Sequence, residues 1–244
     1  MLLSKLVILD QVDSTNNYTA NLIKTGDIQH GTVILSYNQQ SGRGQRGTAW
    51  SSDPYKNIAF SIYLKHVYAT LGNYHFLSYA IALAVKDLLE EYGIAPKIKW
   101  PNDLLVEDKK ISGILIENQL SGKDWISSIA GIGINVNQRF DSETGFVATS
   151  MTKLLNRELD LEALSYQLVE KIDRRYEQFR KGEYADLSRE YADSMWRIGE
   201  HTEAEIDGER KIVRIQGTDE NGLLLLEIGD SLFSFDIKEV KFFY

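Results

Sequence analysis

A stretch of apolar residues at helical spacing restricts most strongly how this chain can fold. Apolar positions recur every three or four residues from Phe76 to Leu88, and Asn73 and Gly93 stand where such a helix would begin and end. Runs rich in β-branched and aromatic residues lie on both sides of it, at residues 58–64, 97–100, 110–118 and 125–136. Such a helix belongs to the core. The pattern therefore predicts an α+β domain with helices on a mixed β-sheet.

The last part of the chain has a different pattern. A helix with one apolar face is predicted from Asp160 to Gly182, and another continues towards Trp196. After Gly199 the sequence changes to short β runs broken by turn pairs such as Asp207-Gly208. We therefore predict a large domain at residues 1–198 and a small barrel-like β domain at residues 199–244.

Charge and cysteine content exclude several classes of function. The 27 Lys and Arg residues against 35 Asp and Glu give a net charge of -8, so we expect no nucleic acid as a partner. The chain has no cysteine, which rules out disulfides and thiolate metal sites and suits a cytoplasmic location. The first ten residues are too short an apolar stretch for a membrane span and lack a cleavage signal, so we expect no membrane association.

Residues 37–50, with the sequence YNQQSGRGQRGTAW, contain three glycines and two arginines but no acid. Glycines let the backbone approach an anion closely and arginines match phosphate or carboxylate, so the segment predicts an anion-binding loop. Its GxGxxG spacing does not indicate a dinucleotide site, because a strand follows rather than a helix, and Thr48 stands where a Walker A motif needs lysine. An ordinary solvated loop is the alternative. We expect the part from Gly42 to Thr48 to be mobile without a ligand and ordered when a ligand is bound, since it contains no acid to neutralise its arginines.

Two further clusters carry polar residues at the ends of strands. The sequence KWPND at residues 99–103 fits either a functional turn or a plain β-turn. Lys110 opens the apolar run KISGIL, where a lysine requires an anion. In the run AGIGINVN at residues 130–137, alternate glycines leave one face of a strand bare for close approach. Asn135 at its end either contacts a nucleotide base or is a satisfied core amide.

Taken together, these motifs closely resemble those of the biotin protein ligase family. The matching segments, in the family's order and spacing, are STN at residues 14–16, GRGQRG at 42–47 with Trp50, KWPND at 99–103, KISGIL at 110–115 and GIN at 133–135. The resemblance covers nearly the whole chain. It implies a mixed sheet flanked by helices, similar to the catalytic domain of class II aminoacyl-tRNA synthetases, followed by an SH3-like β-barrel. Because the first catalytic strand opens the chain, it implies the form without an N-terminal DNA-binding domain.

The resemblance also implies an activity. A biotin protein ligase activates biotin with ATP to biotinyl-5'-AMP, releases pyrophosphate, and transfers biotin to a lysine of a biotin carboxyl carrier protein. ATP, Mg²⁺ accompanying the nucleotide, and biotin as substrate are therefore expected, and a homodimer is left open. Two alternatives remain: a lipoate-type ligase of the same superfamily, and a non-catalytic biotin or nucleotide sensor.

Site residues follow from the resemblance position by position. Biotin binding is implied for Ser14, Thr15, Asn16, Gln39, Arg43, Gly44, Gln45 and Lys110. ATP or adenylate binding is implied for Arg43, Arg46, Trp50, Asn102, Asp103, Lys110 and Asn135. Lys110, Arg43 and Arg46 are the expected catalytic residues, and no metal-ligating residue is predicted. Gln45 departs from the family, in which arginine is often found at this position and helps to retain the adenylate.

Overall fold

A computed structural model describes residues 2–66, 71–140 and 147–243, with Arg46 and Leu71 described in backbone only. The first part of the chain contributes nine strands to the description: β1 (Lys5–Leu9), β2 (Thr32–Ser36), β3 (Gly42–Arg43), β4 (Ala49–Trp50), β5 (Ile58–Lys65), β6 (Lys97–Lys99), β7 (Asp103–Val106), β8 (Lys109–Ser121) and β9 (Asp124–Ile134). Seven of them form one sheet in the order β1-β2-β5-β9-β8-β7-β6. Only β1 and β2 pair in parallel in this sheet, which makes it mixed.

Helices cover this sheet as the apolar spacing predicts. They are α1 (Thr15–Thr25), α2 (Tyr74–Glu91), α3 (Met151–Leu155), α4 (Leu161–Lys181) and α5 (Tyr184–Asp193). The inward face of α2 is fully buried, and α4 packs against it. Asp160 caps α4 by accepting hydrogen bonds from the backbone N–H groups of its first turn, and Gly182 ends the helix with a φ of 74°.

The end of the chain forms a second sheet. Its strands are β10 (His201–Ile206), β11 (Glu209–Thr218), β12 (Leu224–Ile228), β13 (Ser231–Phe235) and β14 (Val240–Phe242), in the antiparallel order β13-β12-β11-β10-β14. Asp207 and Gly208 make the tight turn between β10 and β11 with positive φ angles of 53° and 78°, as the turn pair predicts. The α+β class is therefore confirmed. The domain boundary at residues 198/199 stays a prediction.

The structure differs from the sequence prediction at two elements. Strand β7 was not expected, because it is short and begins with an aspartate, a residue depleted in strands, directly after a turn signal. Helix α5 ends at Asp193 rather than continuing to Trp196. The backbone N–H of Trp196 instead donates to the carbonyl of Ile98 at 2.8 Å, so the chain leaves the helix to join the edge of the main sheet at β6.

Within the described ranges, no helix combines the length and apolar character needed to cross a membrane.

Candidate active site

A cavity of about 840 Å³ lies between the two sheets. One wall consists of β8, β9 and the turn between β6 and β7, and a second consists of residues 39–50. The C-terminal sheet closes the third side through the β10–β11 turn at Asp207 and Gly208 and through residues 237–242. A volume of this size is typical of pockets for small ligands, which measure roughly 300–1,000 Å³.

Glycines form the floor of the cavity and permit very close packing. A Cβ atom at Gly131 would lie 2.3 Å from Oδ1 of Asn16, and one at Gly133 would lie 2.4 Å from the ring of Trp50. The Trp50 ring also extends over Gly113, where a Cβ would lie 3.1 Å from it. The bare strand face that the sequence indicates is therefore covered by two side chains of the protein itself.

At one end of the cavity, neutral side chains form a hydrogen-bond network at the start of α1. Gln39 Oε1 accepts from the backbone N–H of Thr15 at 2.9 Å. Ser61 Oγ lies 2.7 Å from Thr15 Oγ1 and 2.6 Å from Asn16 Oδ1. Because an amide oxygen can only accept, the single Ser61 proton points to Asn16. The neighbouring Ser14 is buried at the N-terminus of α1 and lines the same end.

Glu117 on β8 links this network to residues 42–47. Asn16 Nδ2 donates to its Oε2 at 2.7 Å, and Arg43 Nη2 contacts both of its carboxylate oxygens at 2.8 Å. The segment 42–47 contains no acid, but Arg43 thus obtains a carboxylate from elsewhere in the fold. Pairing of β3 with β4 also makes the segment part of a small hairpin. Its mobility without ligand stays a prediction.

The opposite end of the cavity is charged. Lys110 Nζ lies 2.7 Å from Asp103 Oδ1, and Lys99 is the cross-strand neighbour of Asp103 in the β6–β7 pair. Burial lowers the pKa of Lys99 to about 8, an effect that Lys110 reinforces and Asp103 opposes. Two lysines around one carboxylate leave an excess of positive charge. This end is therefore suited to an anionic ligand.

The turn that carries this cluster is fixed by its own contacts. Asn102 Nδ2 donates to the carbonyl of Ile114 on β8 at 2.7 Å, and the Trp100–Pro101 peptide bond is cis. Trp100 Nε1 donates to the carbonyl of Gly222 at 3.1 Å, which ties the turn to the C-terminal sheet. The plain-turn interpretation of residues 100–103 is correct for the backbone, while Asn102 and Asp103 also line the cavity.

Comparison with known proteins identifies the family. A model described as the biotin/lipoate A/B protein ligase family matches residues 8–135, which span α1, the glycine floor and both ends of the cavity. The chain belongs to this family.

Individual members resemble the chain over most of its length. The bifunctional ligase/repressor BirA of Escherichia coli is 32% identical, over 91% of this chain and 69% of that protein. The biotin–acetyl-CoA-carboxylase ligase of Mycobacterium tuberculosis is 29% identical, over 92% of this chain and 84% of its own length. The solved structure of biotin protein ligase from Aquifex aeolicus in complex with biotin and ATP matches with a TM-score of 0.81 and 26% identity, covering 98% of both chains. These matches confirm the resemblance seen in the sequence, the predicted fold and the assignment as a ligase. The C-terminal antiparallel sheet is consistent with the expected SH3-like domain.

The structure brings most of the predicted site residues of this ligase together. Those that line the cavity are Ser14, Thr15, Asn16, Gln39, Arg43, Gly44, Gln45, Trp50, Asn102, Asp103 and Lys110. Arg46 lies in the 3-10 turn Gln45–Gly47, but its side chain is outside the described part of the structure. Asn135 is not among the lining residues: it is 4% exposed, and its amide donates to the carbonyl of Lys110 at 3.3 Å. The alternative of a satisfied core amide therefore describes Asn135 better than a base contact.

Three residues of the site were not singled out from the sequence. Lys99 lies inside the KWPND motif, where its position beside Asp103 depends on the unexpected strand β7. Ser61 is a lone polar residue in the apolar run of β5, a signal that could have been noticed. Glu117 ends the apolar run of β8 and is followed by Asn118 and Gln119, so it gives a weaker signal. Ser61 and Glu117 act through partners far away in the sequence, which a local pattern does not give.

Among the residues that the structure describes, no three or more His, Asp or Glu side chains are grouped so that they could hold a metal ion.

Proposed function

We propose that this protein is a biotin protein ligase, which converts biotin and ATP into biotinyl-5'-AMP and pyrophosphate and then transfers biotin to a lysine of a biotin carboxyl carrier protein. The observation that carries the proposal is a single cavity with a neutral hydrogen-bonding end and a lysine-rich end, in a chain that belongs to the biotin/lipoate ligase family. Names of the relatives, and the complex of one with biotin and ATP, support this substrate pair.

The neutral end suits the ureido head of biotin. A ureido group presents two N–H donors and one carbonyl acceptor, and hydroxyl and amide side chains complement all three. Ser14, Thr15, Asn16 and Gln39 supply these groups from the start of α1 and from the chain after β2. Their orientation is already set by their mutual hydrogen bonds and by Ser61. Such a preformed site lowers the ordering cost of binding.

The charged end suits the first chemical step. A carboxylate oxygen of biotin attacks the α-phosphorus of ATP, the new O–P bond forms, and the bond to pyrophosphate breaks. Two anions must approach each other, so cations already in place stabilise the transition state more than a solvent that has to reorganise. We assign this role to Lys110, Arg43 and Arg46. Mg²⁺ is proposed only as the ion that accompanies the phosphates of ATP.

The nucleotide part of the adenylate is assigned to Trp50, Asn102 and Asp103. The indole of Trp50 packs against the glycine floor, with its ring centroid 5.6 Å from Lys110 Nζ, and offers an aromatic surface for a base. Asn102 in the β6–β7 turn and Asp103 at the start of β7 line the same cavity. Asn135 is left out of this assignment because it is buried and is not among the residues that line the cavity.

In the second step, the amine of a carrier lysine attacks the carbonyl carbon of the mixed anhydride. The C–N bond forms, AMP departs, and the amine loses a proton. We assign Asp103 to orient the amine or take that proton, because its carboxylate lines the cavity directly beside Lys110, 2.7 Å from that ammonium group. Gly44 and Gln45 cover the biotin carboxylate from the facing wall.

Biotin-dependent exchange of labelled pyrophosphate into ATP tests the first step. Exchange with biotin and none with lipoate supports the proposal. Exchange with lipoate alone would identify the lipoate-type alternative, and tight biotin binding without exchange would identify the sensor. Transfer of labelled biotin to a carrier domain, lost when its acceptor lysine is changed to arginine, then tests the second step.

A further inference from the structure

Arg43, which lines the cavity, forms an ion pair with Glu117 that the reaction scheme above does not use. We propose that Glu117 is an internal counter-anion: it positions Arg43 while the site is empty and gives Arg43 up to the carboxylate of the bound ligand. This inference rests on the proposed function, since it takes biotin as the ligand. It makes Glu117 a positioning residue, which acts through Arg43 and not on the reacting atoms.

One carboxylate contacts both the neutral end, at Asn16, and Arg43. Glu117 Oε2 accepts from Asn16 Nδ2 at 2.7 Å, and both carboxylate oxygens contact Nη2 of Arg43 at 2.8 Å. Arg43 lines the cavity from β3, whereas Glu117 projects from β8, 74 positions further along the chain. Glu117 thus already forms an ion pair with Arg43, the residue that we expect to bind the carboxylate of the ligand.

Partial exposure makes this pair exchangeable. The Arg43 side chain is 44% exposed and that of Glu117 is 35% exposed, so water competes with the contact. Ion pairs with this exposure contribute little net stability, because each partner is well solvated when the pair opens. A ligand carboxylate at the same place would therefore meet only weak competition.

When the ligand carboxylate replaces Glu117 at Arg43, the hydrogen bonds of the neutral end stay in place. Asn16 keeps its contact with Glu117 Oε2, and its amide nitrogen lies 3.3 Å from the carbonyl of Leu115 as well. Asn16 Oδ1 remains bonded to Ser61. Glu117 can thus change partner on one side while it orients the ureido-binding amide on the other.

The substitution Glu117→Gln keeps the size and the contact with Asn16 but removes the charge that competes for Arg43. We compare equilibrium binding of biotin with that of biotinamide, which is neutral where biotin carries its carboxylate. The ratio of the two affinities should rise about three- to tenfold in Glu117→Gln, because Arg43 no longer has an internal anion. Biotinamide affinity should change less than twofold.

Two controls isolate the effect. Glu158→Gln removes a carboxylate that pairs with Lys56 at 3.4 Å, and neither residue lines the cavity, so the ratio should not change. In the background Arg43→Gln, adding Glu117→Gln should also leave the ratio unchanged, because the partner is missing.

Limited trypsin digestion gives a readout that needs no ligand. Cleavage after Arg43 should be faster in Glu117→Gln than in the wild type, while cleavage after Lys56 should be unchanged. An unchanged affinity ratio in folded Glu117→Gln, or equal weakening of both ligands, would show that Glu117 is only a structural residue. Wild-type protein that binds neither biotin nor biotinamide would instead refute the proposed function, and this inference with it.

Discussion

The polar groups at the two ends of the cavity differ in burial and in their hydrogen-bond partners. At the neutral end Thr15, Asn16 and Ser61 are 3%, 4% and 0% exposed, and each is bonded to another member of the network. At the charged end Lys110 and Asp103 are 32% and 18% exposed in their side chains and face solvent as well as each other. The neutral end is therefore fixed before a ligand arrives, while the charged end can change partners.

This difference separates recognition from chemistry. A buried polar group that loses its partner costs about 1–3 kcal/mol, so changes at the neutral end should weaken binding of the uncharged head group. A cation in a partly exposed pair adds little to stability but can stabilise a transition state strongly. Substitutions at the two ends should thus affect different kinetic constants.

The largest effect is expected at the charged end. Lys110→Ala should reduce adenylate formation by at least about 100-fold, the scale found when one preorganised electrostatic stabiliser is removed. Biotin-dependent pyrophosphate exchange measures it, with Lys109→Ala, the preceding residue on β8, as the control. Normal exchange in Lys110→Ala would remove this residue from the mechanism.

The neutral end should respond in affinity rather than in rate. Ser61→Ala deprives Asn16 and Thr15 of a partner, so biotin binding should weaken about 30-fold, while exchange at saturating biotin falls less than about threefold. Ser127→Ala is the matched control, since Ser127 is equally buried and bonds Gln119 Oε1 at 2.8 Å outside the cavity. A drop in the saturated rate alone would contradict the separation of the two ends.

The pH dependence should distinguish the ends as well. With its pKa at about 8, Lys99 is positively charged below that pH and loses its charge above it. Exchange at subsaturating substrates, which reports the free enzyme, should therefore fall about tenfold between pH 7 and pH 9. Lys99→Arg should flatten this decline, because a guanidinium stays protonated. Lys97→Arg, at the exposed neighbouring position of β6, should leave the profile unchanged; an unaltered profile in Lys99→Arg would assign the decline to another group.

The smallest effect concerns retention of the intermediate. Gln45→Arg should slow release of biotinyl-5'-AMP about three- to fivefold, because a guanidinium can bond phosphate with two parallel contacts where an amide makes weaker neutral ones. Labelling of bystander proteins without a carrier measures the release. Equal labelling by both forms would indicate that other groups already hold the adenylate.

The sequence predicted the elements of the fold better than their cross-links. Periodicity located α2 and α4, and the motifs named eleven residues that do line the cavity. Local pattern could not supply Glu117 as the partner of Arg43, because the two residues lie 74 positions apart and belong to different sheets. It also could not decide between the two interpretations of Asn135, since that choice depended on whether the amide finds a buried acceptor.

The contact between Trp50 and the glycine floor limits which residues positions 50, 113 and 133 can carry together. With a ring atom 2.4 Å from where a Cβ of residue 133 would lie, no larger residue fits there unless the indole moves away. Position 113 faces the same ring at 3.1 Å. Substitutions at these sites should therefore be correlated: a random library should return alanine at 133 mainly in clones that also carry a smaller residue at 50, although the two positions are 83 apart in the numbering.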